Sequence, residues 1–285
     1  MKMKELNIIL GHKCNYSCTH CVNSSGPDLK SSRLSTLEVE NIKSEIINNE
    51  PSLILFTGGE PTLYIDDMNT FINCHPSKEN ATFGITTNGW FGYSKTMTEK
   101  TLNKIEKLTF LQVSFDAFHG TETKFENISN IKKYCDDRDI TFNISMAISE
   151  PMDLLLAQEI IRDLGVKVVF QKVSKVGRAK ENNITYKYFS FEESVLDEKC
   201  PNIDSFTYIP GQGYSNCCGN LVYNNITDEI CHKDFESFTN SNIYNTLKTK
   251  TFREILKEKN IDTKKIPNEC SSACNLCEYA FKGAI

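Results

Sequence analysis

The chain has 285 residues, of which 39% are hydrophobic and 24% are charged, as is usual for a globular protein. Its formal net charge of −5 gives no electrostatic reason to expect general binding to nucleic acid. The longest apolar runs are much shorter than a membrane span, and the amino terminus does not lead into a secretory signal sequence. We therefore predict a cytoplasmic protein with neither a membrane nor a nucleic acid as its partner.

Strand-like and helix-like patterns alternate from residue 5 to about residue 178. The string Ser35-Thr-Leu-Glu38 predicts a capped helix start, and Leu156, Ile160 and Leu164 predict a buried stripe beside Ala157 and Ile161. Six such strand–helix units predict a parallel sheet with right-handed crossovers, either doubly wound or a partial barrel. The predicted strands are Leu6–Leu10, Leu53–Thr57, Thr82–Thr87, Phe110–Phe115, Thr141–Ile148 and Lys167–Val173.

Twelve cysteines are the unusual feature of the composition. In a reducing cytoplasm this number indicates metal or redox chemistry rather than disulfides. Three cysteines lie within residues 14–21 and seven within residues 200–277. This distribution predicts two metal-bearing regions separated by a scaffold. We interpret the isolated Cys74 and Cys135 as small buried hydrophobic residues.

The first cysteines follow the first predicted strand with the spacing C-x3-C-x2-C, at Cys14, Cys18 and Cys21. Three thiolates at this spacing can hold three irons of a [4Fe–4S] cubane and leave the fourth iron without a protein ligand. The alternative is a zinc site in which either His20 or His12 supplies the fourth ligand.

The second predicted strand ends in Thr57-Gly58-Gly59-Glu60-Pro61. The two glycines allow the backbone to approach a ligand closely, and Glu60 is suited to receive a cationic amine. Such a string alone often forms only a turn. One strand after the cysteine triplet, however, it indicates a binding site at the carboxyl edge of the sheet.

These two motifs, in this order, resemble the radical S-adenosylmethionine (SAM) superfamily over residues 5 to about 180. The resemblance implies an α/β fold, a partial (β/α)6 barrel of the TIM type over residues 1–180, with a cysteine-rich iron–sulfur extension at 181–285. It also implies that Cys14, Cys18 and Cys21 hold a [4Fe–4S] cluster whose free iron binds the amino and carboxylate groups of SAM.

The same resemblance implies a set of residues that contact SAM. His20 would lie near the adenine, and the glycine pair with Glu60 would line the amino group. For Ser114, a buried strand hydroxyl is the equal alternative. The implied SAM contacts are His20, Gly58, Gly59, Glu60, Asn88, Ser114, Asp116 and Arg178.

The later cysteines resemble the SPASM and shorter twitch extensions, which bind auxiliary clusters. Cys200, Gly213 and Cys218 form the string C-x12-G-x4-C, and Cys274 and Cys277 would complete one auxiliary [4Fe–4S] cluster. The later cysteines of the full SPASM pattern are missing, which favours one auxiliary cluster. Cys270 is an alternative for one of the last two ligands.

Cys217 and Cys231 are not among these implied cluster ligands. Cys217 adjoins a predicted ligand, and its weak S–H bond suits it to return a hydrogen atom to a substrate radical. Abstraction from one face and return from the other would epimerise the substrate. The alternatives are that Cys217 is itself a ligand or has no role. The pair Asp116 and His119 offers acid–base groups, but both are equally well explained as surface residues.

The family resemblance implies reductive cleavage of SAM to a 5′-deoxyadenosyl radical, which abstracts a substrate hydrogen. We favour epimerisation or cross-linking of a ribosomally made peptide, with flavodoxin or ferredoxin as electron donor. Only 13 residues precede Cys14, so peptide recognition is expected from the barrel mouth, from residues 180–260 or from another protein. The alternatives are a dehydrogenase of a small molecule and a non-catalytic iron–sulfur electron carrier.

Overall fold

The computed structural model describes residues 2–29, 32–119 and 123–282. Its strands are β1 (Glu5–Ile9), β2 (Leu53–Thr57), β3 (Thr82–Thr87), β4 (Phe110–Ser114), β5 (Thr141–Ile148), β6 (Lys167–Lys172), β7 (Ser205–Ile209) and β8 (Gly213–Ser215). Each of the six predicted strands is present, and its ends differ from the prediction by at most one residue. β7 and β8 were not predicted.

The helices lie mainly between the strands and after β8. They are α1 (Thr36–Asn49), α2 (Ile65–Cys74), α3 (Lys95–Leu102), α4 (Phe125–Asp136), α5 (Leu154–Leu164), α6 (Gly177–Glu181), α7 (Asn220–Tyr223), α8 (Phe235–Thr239), α9 (Asn242–Thr249), α10 (Phe252–Glu258) and α11 (Ala273–Lys282). In the described ranges, none of them is sufficiently long and apolar to cross a lipid bilayer.

All eight strands form one sheet in the order β6-β5-β4-β3-β2-β1-β7-β8. Neighbouring strands are parallel, except that β8 runs antiparallel to β7. From β1 to β6 the spatial order follows the chain order without the reversal that defines a doubly wound sheet. The predicted α/β fold class is therefore confirmed, and the sequential winding is that of a partial barrel.

Two helices show how local sequence positions these elements. Ser35 and Glu38 form the predicted capping box at the start of α1, which contributes about 1 kcal/mol to helix stability. In α5, Ala157 and Ile160 are buried as predicted. Ile161, in contrast, is 47% exposed, so its inclusion in the buried stripe was wrong.

The strand β1 separates two groups of buried side chains. Leu6 and Ile8 belong to the core beneath β1–β6, whereas Ile9 belongs to a second core built mainly from residues after 190. Six aromatic residues from beyond position 180 also pack into the first core: Phe206, Tyr208, Tyr214, Phe235, Phe238 and Tyr244. The carboxyl-terminal third is thus packed onto the same sheet. The boundary at residue 180 stays a prediction.

Candidate active site

The carboxyl ends of β1 and β2 are joined by backbone hydrogen bonds just beyond the strands. The N–H of Gly59 donates to the carbonyl of Gly11 at 2.8 Å, and the N–H of Glu60 donates to that of Lys13 at 3.0 Å. These bonds hold the segment that leads into the cysteine triplet against the Gly-Gly-Glu segment. The two sequence motifs therefore form one structural unit at the carboxyl edge of the sheet.

This close approach requires glycine at position 59. A Cβ atom there would lie 2.1 Å from the carbonyl oxygen of Lys13. We expect Gly59→Ala to lower the free energy of unfolding by about 3 kcal/mol, because backbone must move to relieve the clash. Urea unfolding of the cluster-free protein measures this change.

Gly26→Ala is the matched control, since the nearest atom to a Cβ there is Ser17 Oγ at 3.5 Å. That variant should change the free energy of unfolding by less than about 1 kcal/mol. Equal effects of Gly59→Ala and Gly26→Ala would contradict the close approach.

The thiols of the triplet already accept hydrogen bonds. Cys14 Sγ accepts from the N–H of Tyr16 at 3.4 Å and from Asn88 Nδ2 at 3.6 Å. Cys21 Sγ accepts from the N–H of Ser25 at 3.4 Å. Such donors stabilise thiolate ligands, so the surroundings of these sulfur atoms suit metal ligation.

Three metal-capable side chains have their ligand atoms within 4.8 Å of one another in the described part of the chain, and they are His20, Asp116 and His119. Zinc at the cysteine triplet stays the alternative prediction.

Glu60 is fully buried, and its carboxylate joins β2 to β3. Oε1 accepts from the backbone N–H of Thr62 at 3.1 Å and from the hydroxyls of Thr62 and Thr87 at 2.6 and 2.8 Å. Oε2 accepts from the N–H of Asn88 at 3.0 Å. Burial raises the pKa of Glu60, and these hydrogen bonds oppose that rise. The carboxylate thus has an internal structural role, and its contact with the SAM amino group stays a prediction.

Asp116 and His119 are buried after β4, so their interpretation as surface residues was wrong. His119 Nδ1 lies 2.8 Å from Asp116 Oδ1, and the N–H of Ala147 donates to Asp116 Oδ2 at 3.1 Å. The ring of His20 stacks on Phe118 with 4.5 Å between centroids. His20 is therefore held over the carboxyl ends of β4 and β5.

His119 connects this group to the triplet. Burial opposes a charge on the imidazole, but hydrogen bonds to Asp116 and to Cys18 outweigh burial and raise the pKa of His119 to about 10. The second cysteine of the triplet thus contacts a side chain that is anchored on β4.

Arg178, after β6, contacts the loop that carries the third cysteine. Its N–H donates to the carbonyl of Cys21 at 3.0 Å, and its guanidinium donates to the carbonyl of Ser25. Gly177 has φ +50°, and a Cβ there would lie 2.2 Å from the carbonyl oxygen of Val22. The segment that begins with Gly177 and Arg178 therefore stabilises the triplet loop, and the contact of Arg178 with SAM stays a prediction.

The two remaining predicted SAM contacts lie at the same edge. Asn88 is buried directly after β3 and donates to Asn15 Oδ1 at 2.9 Å as well as to Cys14. Ser114 is the last residue of β4 and is half-buried. The structure brings both residues to the carboxyl edge without showing what they bind.

A small cavity lies in the carboxyl-terminal third, and five thiols line it. Asn216 Nδ2 donates to Cys200 Sγ at 3.3 Å, and Asn202 Nδ2 donates to Cys218 Sγ at 3.4 Å. The four predicted auxiliary ligands are therefore brought together: Cys274 and Cys277 from α11, Cys218 from the segment after β8 and Cys200 from the segment before β7. The lining cysteines are Cys200, Cys217, Cys218, Cys274 and Cys277.

The other cysteines of the chain lie elsewhere. Cys270 is buried but does not belong to the lining of this cavity, which supports Cys274 and Cys277 as the later ligands. Cys135 is fully buried and Cys74 packs partly buried against the first core, as predicted. Burial raises the pKa of the Cys135 thiol to about 12.

Tyr223, at the end of α7, interacts electrostatically with thiols of both cysteine groups. Burial raises the pKa of its phenol, and the thiols of Cys218, Cys21 and Cys217 raise it further. The tyrosine is therefore within electrostatic reach of one cysteine of the triplet and of two cysteines of the cavity.

Several residues that contact the candidate ligands were missed in the sequence. Their amides or rings carry no motif of their own, although each asparagine stands one or two positions from a cysteine. For the three asparagines, Asn15, Asn202 and Asn216, this adjacency to a cysteine was the available signal. The contacts of His119 and Tyr223, in contrast, depend on the tertiary fold. The missed residues are Asn15, Asn202, Asn216, His119 and Tyr223.

A sequentially wound parallel sheet with cysteine and Gly-Gly-Glu motifs at its carboxyl edge defines a cofactor-dependent barrel enzyme. The family described as the Radical SAM superfamily matches residues 8–170, which is more than half of the chain. The protein therefore belongs to the radical SAM superfamily, whose members use a [4Fe–4S] cluster and SAM. The predicted family is confirmed, and membership favours an enzyme over an electron carrier.

Two proteins of Bacillus subtilis (strain 168) are similar in sequence. The chain is 29% identical to the putative peptide biosynthesis protein YydG over 312 residues, which cover 100% of this chain and 94% of YydG. It is 24% identical over 208 residues to the antilisterial bacteriocin subtilosin biosynthesis protein AlbA, with 66% of this chain and 45% of AlbA covered.

Solved structures share the fold at low sequence identity. Native anSMEcpe with bound AdoMet and Kp18Cys peptide superposes with a TM-score of 0.60 at 12% identity, over 96% of this chain and 89% of that one. BtrN in complex with AdoMet and 2-DOIA superposes with a TM-score of 0.52 at 14% identity, over 95% of this chain and 93% of that one. At these identities the likeness concerns the fold alone.

Proposed function

We propose that this protein is a peptide-modifying radical SAM enzyme whose cluster is held by Cys14, Cys18 and Cys21. When bound, the cluster and SAM supply a 5′-deoxyadenosyl radical that removes one hydrogen atom from the substrate. The residues present fit this group, because three thiols, two of which accept hydrogen bonds from backbone N–H groups, follow a segment bonded to the glycine pair.

The observation that carries the proposal is the joining of two motifs that are distant in sequence. Backbone bonds from Gly59 and Glu60 reach the segment that precedes the triplet. A purely structural metal site would not require a second strand end at this position. The residues proposed to orient SAM lie around this junction and on the loops after β3, β4 and β6: His20, Gly58, Gly59, Glu60, Asn88, Ser114, Asp116 and Arg178.

A peptide substrate is supported by the relatives in sequence. YydG is described as a putative peptide biosynthesis protein and matches this chain along its whole length. AlbA is described as a bacteriocin biosynthesis protein and matches two thirds of the chain. We therefore propose a ribosomally made peptide as the substrate.

We further propose that Cys200, Cys218, Cys274 and Cys277 hold one auxiliary [4Fe–4S] cluster. All four line one cavity, and two of the sulfurs accept hydrogen bonds from asparagine amides. Four thiolates complete the ligand set of a cubane, so this cluster would have no open iron and would serve in electron transfer.

The fifth thiol of this cavity, Cys217, is proposed to return a hydrogen atom to the peptide radical. Its backbone N–H donates to Ser215 Oγ at 3.0 Å, which fixes the start of the Cys217-Cys218 turn. The phenol of Tyr223 is within electrostatic reach of both Cys217 and Cys21, which supports a position of the Cys217 thiol near the proposed SAM site.

Reaction in deuterium oxide tests this proposal. The probe is a set of synthetic peptides translated from short open reading frames that adjoin the gene. We expect the wild-type product to gain one deuterium at a Cα atom. Cys217→Ala should lower the yield of that product at least about 100-fold while 5′-deoxyadenosine continues to form, because only hydrogen return is lost. Mass spectrometry and chiral amino-acid analysis measure both products.

Cys74→Ala is the matched control, since this thiol packs against the first core away from both sites. It should leave deuterium incorporation unchanged. A product lighter by two hydrogens and without deuterium would contradict epimerisation and would indicate cross-linking in a peptide or dehydrogenation in a small molecule. Normal epimer yield from Cys217→Ala would contradict the role of this thiol.

A further inference from the structure

Cys231 lies across a short backbone bridge from the strand that leads to Cys217. The N–H of Tyr214 donates to the carbonyl of His232 at 2.7 Å, and the N–H of His232 donates back to Tyr214 at 3.0 Å. This antiparallel bridge sets the register, so Cys231 stands opposite Ser215 with its side chain on the same face.

The close approach of the two segments depends on Gly213. This residue has φ +105°, and a Cβ atom there would lie 2.1 Å from the carbonyl oxygen of His232. The glycine that completes the C-x12-G-x4-C string therefore holds the segment with Cys231 against β8.

Ser215 lies next to both Cys217 and Cys231. Its Oγ accepts from the backbone N–H of Cys217 at 3.0 Å, and the residue stands opposite Cys231 across the bridge. On its other side, Cys231 Sγ lies 3.5 Å from Oε1 of the exposed Gln212. Cys231 therefore lies between the thiol that faces the cavity and the protein surface.

Burial, followed by the neighbouring Cys217, raises the pKa of Cys231 to about 12. The side chain is therefore a thiol rather than a thiolate near neutral pH. A thiol retains the S–H bond that hydrogen-atom transfer requires. Like Cys217, Cys231 is outside both proposed ligand sets, so its thiol is available for such a transfer.

Hydrogen return by Cys217, on which this inference rests, leaves a thiyl radical that must be repaired before the next turnover. We propose that Cys231 is the relay thiol that restores Cys217. The S–H bond of Cys231 breaks and an S–H bond forms at Cys217, so the radical moves to Cys231. A low-potential one-electron donor, of the class that also drives SAM cleavage, then supplies one electron, and water supplies one proton.

Two variants test the relay. Cys231→Ser keeps a hydrogen-bonding group of similar size, but its O–H bond is too strong to give a hydrogen atom to a thiyl radical; Cys231→Ala removes the group. We expect both to form about one product per chain in a rapid first phase and then to slow at least about tenfold. Rapid-quench assays with the same peptides and dithionite as reductant measure the two phases.

The control is Tyr223→Phe, which removes the other nearby group able to donate a hydrogen atom. If Cys231→Ser turns over like the wild type, the relay assignment is overturned, and a burst in Tyr223→Phe would then assign the relay to the tyrosine. If the wild-type enzyme incorporates no deuterium at all, the proposed function fails instead. The two failures are therefore distinguishable.

A second measurement does not require turnover. A bifunctional alkylating reagent, short enough to join only neighbouring thiols, is applied to the cluster-free protein, and the linked peptides are mapped by mass spectrometry. We expect a link between Cys217 and Cys231 that disappears in Cys231→Ser and persists in Cys74→Ser. The absence of this link in the wild-type protein would also overturn the relay.

Discussion

Replacing Cys14, Cys18 and Cys21 together with alanine should abolish SAM cleavage and lower the iron content from about eight to about four atoms per chain. The three thiols are the candidate ligands of the site-differentiated cluster, and no other thiol in the described ranges adjoins the Gly-Gly-Glu segment. Iron and sulfide analysis after anaerobic reconstitution, together with quantification of 5′-deoxyadenosine, measures both effects. We expect the rate of cleavage to fall at least about 1,000-fold.

The double variant Cys274→Ala/Cys277→Ala is the complementary control. It should also lose about four irons, but it should keep the electron paramagnetic resonance change that SAM causes at the first cluster. Zinc in the anaerobically purified wild-type protein would contradict the assignment, as would a triple variant that keeps all of its iron. Cys74→Ala should behave as the wild type in both assays.

Removing the Glu60 side chain should strongly destabilise the protein even without any cofactor. In Glu60→Ala, the buried donors of Thr62, Thr87 and Asn88 lose their acceptor and a small cavity remains. We expect the free energy of unfolding to fall by about 3–4 kcal/mol. Urea unfolding of the cluster-free protein, followed by circular dichroism, measures this loss.

Glu60→Gln keeps the shape of the side chain, but its amide NH₂ group, a donor, then faces other donors. We therefore expect the free energy of unfolding to fall by about 2 kcal/mol. Glu79→Ala is the exposed control, since this side chain is 80% exposed, and it should change stability by at most about 0.5 kcal/mol. A Glu60→Ala protein that is as stable as this control but binds SAM more weakly would show that ligand contact, not internal bonding, is the main role of the carboxylate.

The six strands of the barrel could be predicted because their apolar runs are short, separated by helical patterns and locally encoded. The strands β7 and β8 were missed for a physical reason. The partner of β7 is β1, about 200 residues earlier in the chain, and β8 has only three residues. Neither pairing leaves a periodic signal in a segment rich in lysine and asparagine.

The grouping of the candidate ligands could be predicted from the sequence, whereas their supporting contacts could not. Cysteine spacing alone indicates which residues can share a cluster, because ligation constrains spacing. The donors around Glu60 come from the ends of two different strands, so these hydrogen bonds could not be predicted from the sequence. The burial of Asp116 and His119 likewise depends on tertiary contacts, among them the hydrogen bonds that Asp116 accepts from the N–H groups of Ala147 and Phe118.

The pairing of β1 with β7 has a consequence for dissecting this protein. A fragment that ended at residue 180 would leave β1, which carries the apolar Leu6, Ile8 and Ile9, as an open edge. Unpaired edges of this kind recruit strands from other molecules, so such a fragment would be prone to self-association. The carboxyl-terminal third therefore protects the edge of β1 by pairing β7 with it, and shortened versions of the enzyme should retain β7.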